Sequence, residues 1–128
     1  MPKLVDLLAH PDQRVRLEAQ FELVKRNEAD VLMAAAKKND SQLARVHAIW
    51  GLGQLGRKSQ AAVLPLKPLL SDSDPEIQSQ VLRVAADAYH EGFADEAQNL
   101  LYSPNPRVQL FAGMALGKIG SKKHVPAV

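Results

Sequence analysis

Val46–His47–Ala48–Ile49–Trp50–Gly51–Leu52–Gly53–Gln54–Leu55–Gly56 returns, loosened, as Leu110–Phe111–Ala112–Gly113–Met114–Ala115–Leu116–Gly117–Lys118–Ile119–Gly120. Two degenerate copies lie elsewhere, one before the first segment and one between the two. Setting the four in register makes Val15, Ala44, Ile77 and Val108 equivalent, at spacings of 29, 33 and 31 residues. Four residues further on stand Ala19, Ala48, Val81 and Ala112; four beyond those stand Leu23, Leu52, Ala85 and Leu116. Apolar residues at i, i+4 and i+8 form a stripe down one side of an α-helix. The middle position is small or β-branched, as close approach of a neighbouring helix requires. No strand period of two runs for any length.

The starts of these helices agree. Three residues before each stripe lie Asp12, Ser41, Asp74 and Asn105, all side chains whose oxygen can accept an orphan N–H of the first turn. Pro75 and Pro106 follow two of them, at the first helical position, where a missing N–H costs nothing. Second helices are predicted between the first ones, over about 28–38, 60–70 and 92–102, with another over 3–9. Pro68 should bend or shorten the second of these. The pattern predicts an all-α, right-handed α-solenoid: three full helix pairs, with a single helix at each end, over residues 1–121. Residues 122–128 read as a flexible tail. Such pairs cannot bury their apolar faces alone and must stack on neighbours. Leu4, Val5, Leu7 and Leu8 at one end, and Leu110, Met114 and Leu116 at the other, read as core without a polar capping repeat. Hence the chain is expected to be a piece of a longer array, or to self-associate or meet another domain through its apolar ends.

The unit resembles the short HEAT-like repeat of about thirty residues, the form also seen in phycobilisome lyase-type proteins. The resemblance is carried best by Asn105, Pro106, Val108, Ala112, Ala115, Leu116, Gly117, Ile119 and Gly120, and in the first copy by Asp12, Val15, Arg16, Ala19 and Leu23. Asn27 stands where that copy's last glycine belongs. The third copy keeps Asp74, Pro75 and Ile77. A narrower likeness rests on His10–Pro11–Asp12, Arg14–Val15–Arg16 and Leu43 to Leu55. These stretches are similar to the HEAT region of large planctomycete-type membrane-bound dehydrogenase proteins, which join a propeller to a cytochrome c-type haem domain. That resemblance implies an extracytoplasmic, multidomain parent in which this array is a spacer or docking piece. It implies no dehydrogenase here, because the chain has no C-x-x-C-H and no cofactor motif.

Composition narrows the chemistry. The chain has 128 residues, 46% of them apolar but only 5% aromatic, no cysteine and a net charge of +2. Cysteine-based nucleophiles, thiolate metal sites and disulfides are excluded. No apolar run approaches the 18 or so residues that cross a bilayer, so no membrane insertion is expected. Charge is too evenly spread to imply a polyanion partner. His10, His47, His90 and His124 do not pair at metal-binding spacing, and the G-x-G at Gly51 and Gly53 lies within a helix pattern with no strand before it. No catalytic, metal or cofactor-binding residues and no cofactor are assigned. Gly53 should permit close helix contact, and Gly56 and Gly120 should end their helices in a left-handed turn.

Arg16 and Arg45 share one repeat position, with His47 close by. They predict an inter-repeat ladder of hydrogen bonds and ion pairs with Asp12, Asp40 and Asp74, fading where Gln78 and Gln109 replace the arginines. Trp50 is read as core packing or as a contact residue. Partner contacts are expected on the second helices and turns, at Arg26, Asp30, Arg57, Lys58, Gln60, Glu91 and Asp95. The predicted function is non-catalytic protein–protein or interdomain binding. A structural spacer ranks next, weak nucleic-acid binding through a basic edge third, and lyase-like chromophore or haem handling fourth.

Overall fold

The computed structural model describes residues 4–38, 40–88 and 90–119, without the side chains of Gln60 and Glu91. The expectations for Gly120, His124 and the 122–128 tail lie outside the described residues. Within them the chain forms helices α1 (Gln13–Lys25), α2 (Ala29–Lys37), α3 (Gln42–Gly56), α4 (Pro75–Asp87), α5 (Ala94–Leu100) and α6 (Pro106–Ile119), and no strand. Short 3-10 segments cover Leu4–Ala9, Gln60–Ala62, Leu64–Ser71 and Glu91–Phe93.

The four first helices, α1, α3, α4 and α6, start where the caps predict. Asp12 accepts from the Arg14 N–H at 2.8 Å, Ser41 from Ala44 at 3.2 Å, and Asp74 from Glu76 at 2.9 Å. Asn105 accepts from both Arg107 and Val108. Loss of one such cap typically costs about 1 kcal/mol. A further device recurs two residues before the cap. His10 Nδ1, Asp72 Oδ1 and Ser103 Oγ each accept from the cap residue's own backbone N–H, which fixes the entry angle of the chain.

Every member of the i, i+4, i+8 stripe is buried except Val15, which is half-buried. The first helices stack in order, α1 on α3, α3 on α4, and α4 on α6. A second layer lies beside them. Helix α2 packs on α3, the Leu64–Ser71 segment on α4, and α5 on α6. Removing these leucines and valines from water contributes roughly 1.5–3 kcal/mol each, which fixes the stacking order.

The second helices depart from expectation most. The segment predicted over 60–70 is not an α-helix but two 3-10 pieces. Pro65 and Pro68 lack the N–H that an i→i−4 ladder needs, and the tighter i→i−3 bonds take over, as in Leu66 N to Val63 O at 3.0 Å. Val63, Leu66, Leu69 and Leu70 still reach the core. The helix predicted over 92–102 shortens to α5, preceded by a 3-10 turn that buries Phe93 completely.

Two glycine expectations divide. Gly53 lies where a Cβ would stand 2.7 Å from Val84 Cγ1, so its absence of a side chain lets α3 and α4 meet. Gly56 does not make the predicted left-handed turn: no described glycine has a positive φ, and a Cβ there would meet Val63 Cγ1 at 2.6 Å. It is small for packing. The left-handed residue is Asn27, at φ 56°, closing α1 where the first copy lacks its glycine.

The two ends differ. Leu8 is buried, and Leu4, Val5 and Leu7 pack against the core. On α6, Leu116 is buried, whereas Leu110 and Met114 are exposed.

Candidate functional site

A polar seam crosses all four first helices. Arg16 Nε on α1 donates to His47 Nε2 on α3 at 3.2 Å, and His47 Nδ1 lies 2.9 Å from Gln20 Oε1. Those two bonds require one arrangement: Nδ1 carries the proton and Nε2 accepts. Gln20 passes its amide N–H to Gln54 Oε1 at 2.8 Å, tying α1 to α3 a second time. The edge of His47 meets Trp50 with centroids 5.0 Å apart. Trp50 Nε1 then donates to Gln80 Oε1 on α4 at 2.7 Å. Gln80 donates to Glu76, and Glu76 pairs with Arg107 on α6 at 2.9 Å. Arg107 also sits 5.1 Å over the Phe111 ring. Gln20, His47 and Gln80 are buried, so the seam is satisfied internally rather than by water.

The seam differs from the expected ladder in its acceptors. Asp12 turns to Arg14, Asp40 is exposed, and Asp74 receives Gln42 Nε2 at 2.9 Å from the preceding repeat. Arg45 forms its ion pair with Asp72, two residues before the Asp74 cap, and both side chains are largely buried. Nor does the shared arginine position fade in later copies. Arg16 donates to the carbonyls of His10 and Pro11, Arg45 to Ala36, Gln78 to Leu70, and Gln109 to Ser103. Each ties a first helix to a carbonyl of the segment just before it. Glutamine serves as well as arginine because the acceptor is a carbonyl; only the charge is lost.

Burial, and then the positive Arg16 beside it, hold the His47 pKa below its ordinary 6.5. The native state therefore keeps the ring neutral, while the unfolded chain takes up a proton as pH falls past about 6.5. The unfolded state binds more protons in that window, so this contribution is complete above it and is lost on acidification. Urea midpoints should fall between pH 7.5 and 5.5, and His47→Gln should flatten that slope; a midpoint independent of pH would contradict the geometry. The Arg45 hydrogen bond lowers the Asp72 pKa from 3.8, adding a second loss at still lower pH.

Beside the seam lies a cleft of about 230 Å³, lined by Gln20 of α1, Trp50, Gly53, Gln54 and Arg57 of α3 and its end, and Arg83, Val84 and Asp87 of α4. The Gln80 bond and the His47 edge hold the Trp50 ring, half-buried, at its wall. Of the partner contacts expected on the second helices and turns, Arg57 alone lines this cleft, beside Trp50 and Gly53. Arg26 pairs with Glu22 at 3.0 Å on the outside of α1, Asp30 is exposed on α2, and Asp95 is exposed at the start of α5. Lys58 borders a separate groove with Val24, Asn27 and Leu55. The side chains of Gln60 and Glu91 lie outside the described residues. Gln20, Gln54, Gln80, Arg83 and Asp72 were not singled out. The signal that finds Gln80 is the register itself, since it occupies the His47 position one repeat on.

Among the described residues no cluster of metal-ligating side chains occurs, and no helix is long and apolar enough to cross a membrane. Stacked helix pairs, recurring caps and an inter-repeat seam define a helical repeat protein, an α-solenoid. The chain belongs to the HEAT-repeat family: the family model, described as HEAT repeats, matches residues 29–95 and again 63–128. Among solved structures it is similar to an engineered protein determined by the Northeast Structural Genomics Consortium. The two share 21% identity at a TM-score of 0.63, over 94% of this chain and 63% of that one. The chain thus spans less than two thirds of that protein, and the likeness is one of fold. No curated protein matches it.

Proposed function

We propose that this chain is a non-catalytic protein-binding scaffold that works through the face of its first helices. The observation that carries this reading is a single repeat position, six residues after the start of each stripe. It holds Phe21, Trp50, Arg83 and Met114. Equivalent positions on stacked, equivalent helices point the same way, so these four form a row across α1, α3, α4 and α6. Phe21, Arg83 and Met114 are exposed, and Trp50 is half-buried beside the cleft. Large apolar side chains left in water at one repeat position, beside a prearranged indole, have the composition of an interaction surface.

The parent is a larger, multidomain protein in this reading. The narrower likeness of the His10–Arg16 and Leu43–Leu55 stretches to planctomycete-type HEAT regions supports it.

Panning a random twelve-residue peptide library against the immobilised chain tests the scaffold. Enriched sequences should bind the chain and lose binding to Phe21→Glu, whose exposed site leaves folding intact. A pure spacer would enrich nothing, and binders indifferent to Phe21→Glu would move the surface elsewhere.

A further inference from the structure

Resting on the scaffold reading, we infer that the first-helix row and the Trp50 cleft take an extended peptide segment with an acidic residue among apolar anchors, spaced about three residues apart. The charge comes from the cleft. Arg57 and Arg83 are exposed, and among the described residues neither has an ion-pair partner. The one carboxylate in the lining, Asp87, already faces Lys118 Nζ at 3.3 Å. The cleft is therefore left with two unmatched guanidinium groups, whose flat, forked donors suit a carboxylate.

The register comes from the stack. Packed helices lie about 8–10 Å apart, and an extended chain advances about 3.3 Å per residue. A peptide crossing the row thus meets a new first helix about every third residue. It would find the Phe21 ring, the Trp50 ring, the Arg83 guanidinium and the Met114 thioether in turn. Leu110, one turn before Met114 on α6, widens the last apolar station. Rings and a thioether at three stations take aliphatic side chains, and the remaining one takes the acid. Leu43, Leu64 and Tyr102 are also exposed, but they occupy unrelated repeat positions and make no such row.

Trp50 is the only tryptophan, so its emission reports on the cleft directly. The probe is a ten-residue peptide with leucine at its first, fourth and tenth positions, aspartate at the seventh and serine elsewhere, used with its reversed sequence and with a version carrying lysine for aspartate. One direction of the aspartate peptide should shift Trp50 emission saturably. Arg83→Glu should weaken that binding at least about tenfold, with the thermal midpoint unchanged because the side chain is exposed. The Arg57→Glu/Arg83→Glu double variant should prefer the lysine peptide. Equal binding of aspartate and lysine peptides would overturn the acidic assignment while leaving the scaffold reading intact. Tighter binding to a duplex oligonucleotide, abolished in the double variant, would assign the cleft to nucleic acid and overturn the proposal. No response to any peptide, with an empty library panning, would sink both.

Discussion

Ala48→Glu should abolish the cooperative unfolding transition. Ala48 is completely buried at the middle of the α3 stripe, in the row with Ala19, Val81 and Ala112, each of them buried. It belongs to the apolar core of the stack, in which α3 packs against α1, α2 and α4. A glutamate there has too many atoms for a site shaped around a methyl group, and its carboxylate would find no partner in the stripe. Burying an unpaired charge costs several kcal/mol or more, and overpacking adds about 1–3 kcal/mol. A domain of this size has only about 5–15 kcal/mol in total. The variant should show depressed helical circular dichroism and no sigmoidal urea curve. The same change at Ala34, exposed on α2, should leave the midpoint nearly where it was. An unchanged transition for Ala48→Glu would mean that the four copies are out of register.

The second large effect is a difference of sign between two glycines at one repeat position. Gly53 and Gly117 both lie nine residues after the start of their stripes. At Gly53 a new Cβ would meet both Val84 Cγ1, at 2.7 Å, and Val84 Cβ, at 3.0 Å. Valine is stiff at χ1, so it cannot swing aside, and α3 and α4 must separate. That loss, about 1–3 kcal/mol, outweighs the roughly 1 kcal/mol by which alanine favours a helix over glycine. At Gly117 nothing stands within 4 Å, and only the helix gain remains. Gly53→Ala should therefore lower stability and Gly117→Ala raise it by about 0.5–1 kcal/mol. Val84→Ala should recover part of the Gly53→Ala loss by restoring room. Urea denaturation of the single and double variants reads all three, and a common sign for the two glycines would contradict the packing.

The fold was legible because its signals are local. A cap, an occasional proline and three apolar residues at intervals of four specify a helix start and its buried side within one copy, and four copies repeat the message. The second layer was less legible. The segment at 60–71 has helical apolar spacing, but two prolines decide its geometry, and the sequence shows the conflict rather than the 3-10 solution. Phe93 was hidden by its neighbours, Gly92 and a run of acidic residues, which suggest surface.

The candidate site was harder still, for a physical reason. The bonds Gln20–His47, Trp50–Gln80 and Arg45–Asp72 join residues about one repeat apart, and a lone glutamine or aspartate has no local pattern to announce its partner. Residue type told only part of the pattern. Arg16 and Arg45 suggested carboxylate partners, and Arg45 has one in Asp72, but what repeats in all four copies is the bond to a carbonyl, which Gln78 and Gln109 make equally. The contact surface was expected on second helices and turns because their charged residues stand out. The row proposed instead, at Phe21, Trp50, Arg83 and Met114, comes into view only when the register is carried beyond the stripe to the positions that face away from it.

Amide chemical-shift mapping of the uniformly labelled chain, titrated with its tightest-binding peptide, tests the first-helix surface most directly. Perturbation of the Trp50 indole N–H and of amides around Phe21, Arg83 and Met114 is the result the structure predicts. Perturbations confined to the amides of Arg26, Asp30, Lys58 and Asp95, with the Trp50 indole unmoved, would place recognition on the second helices and turns and contradict it.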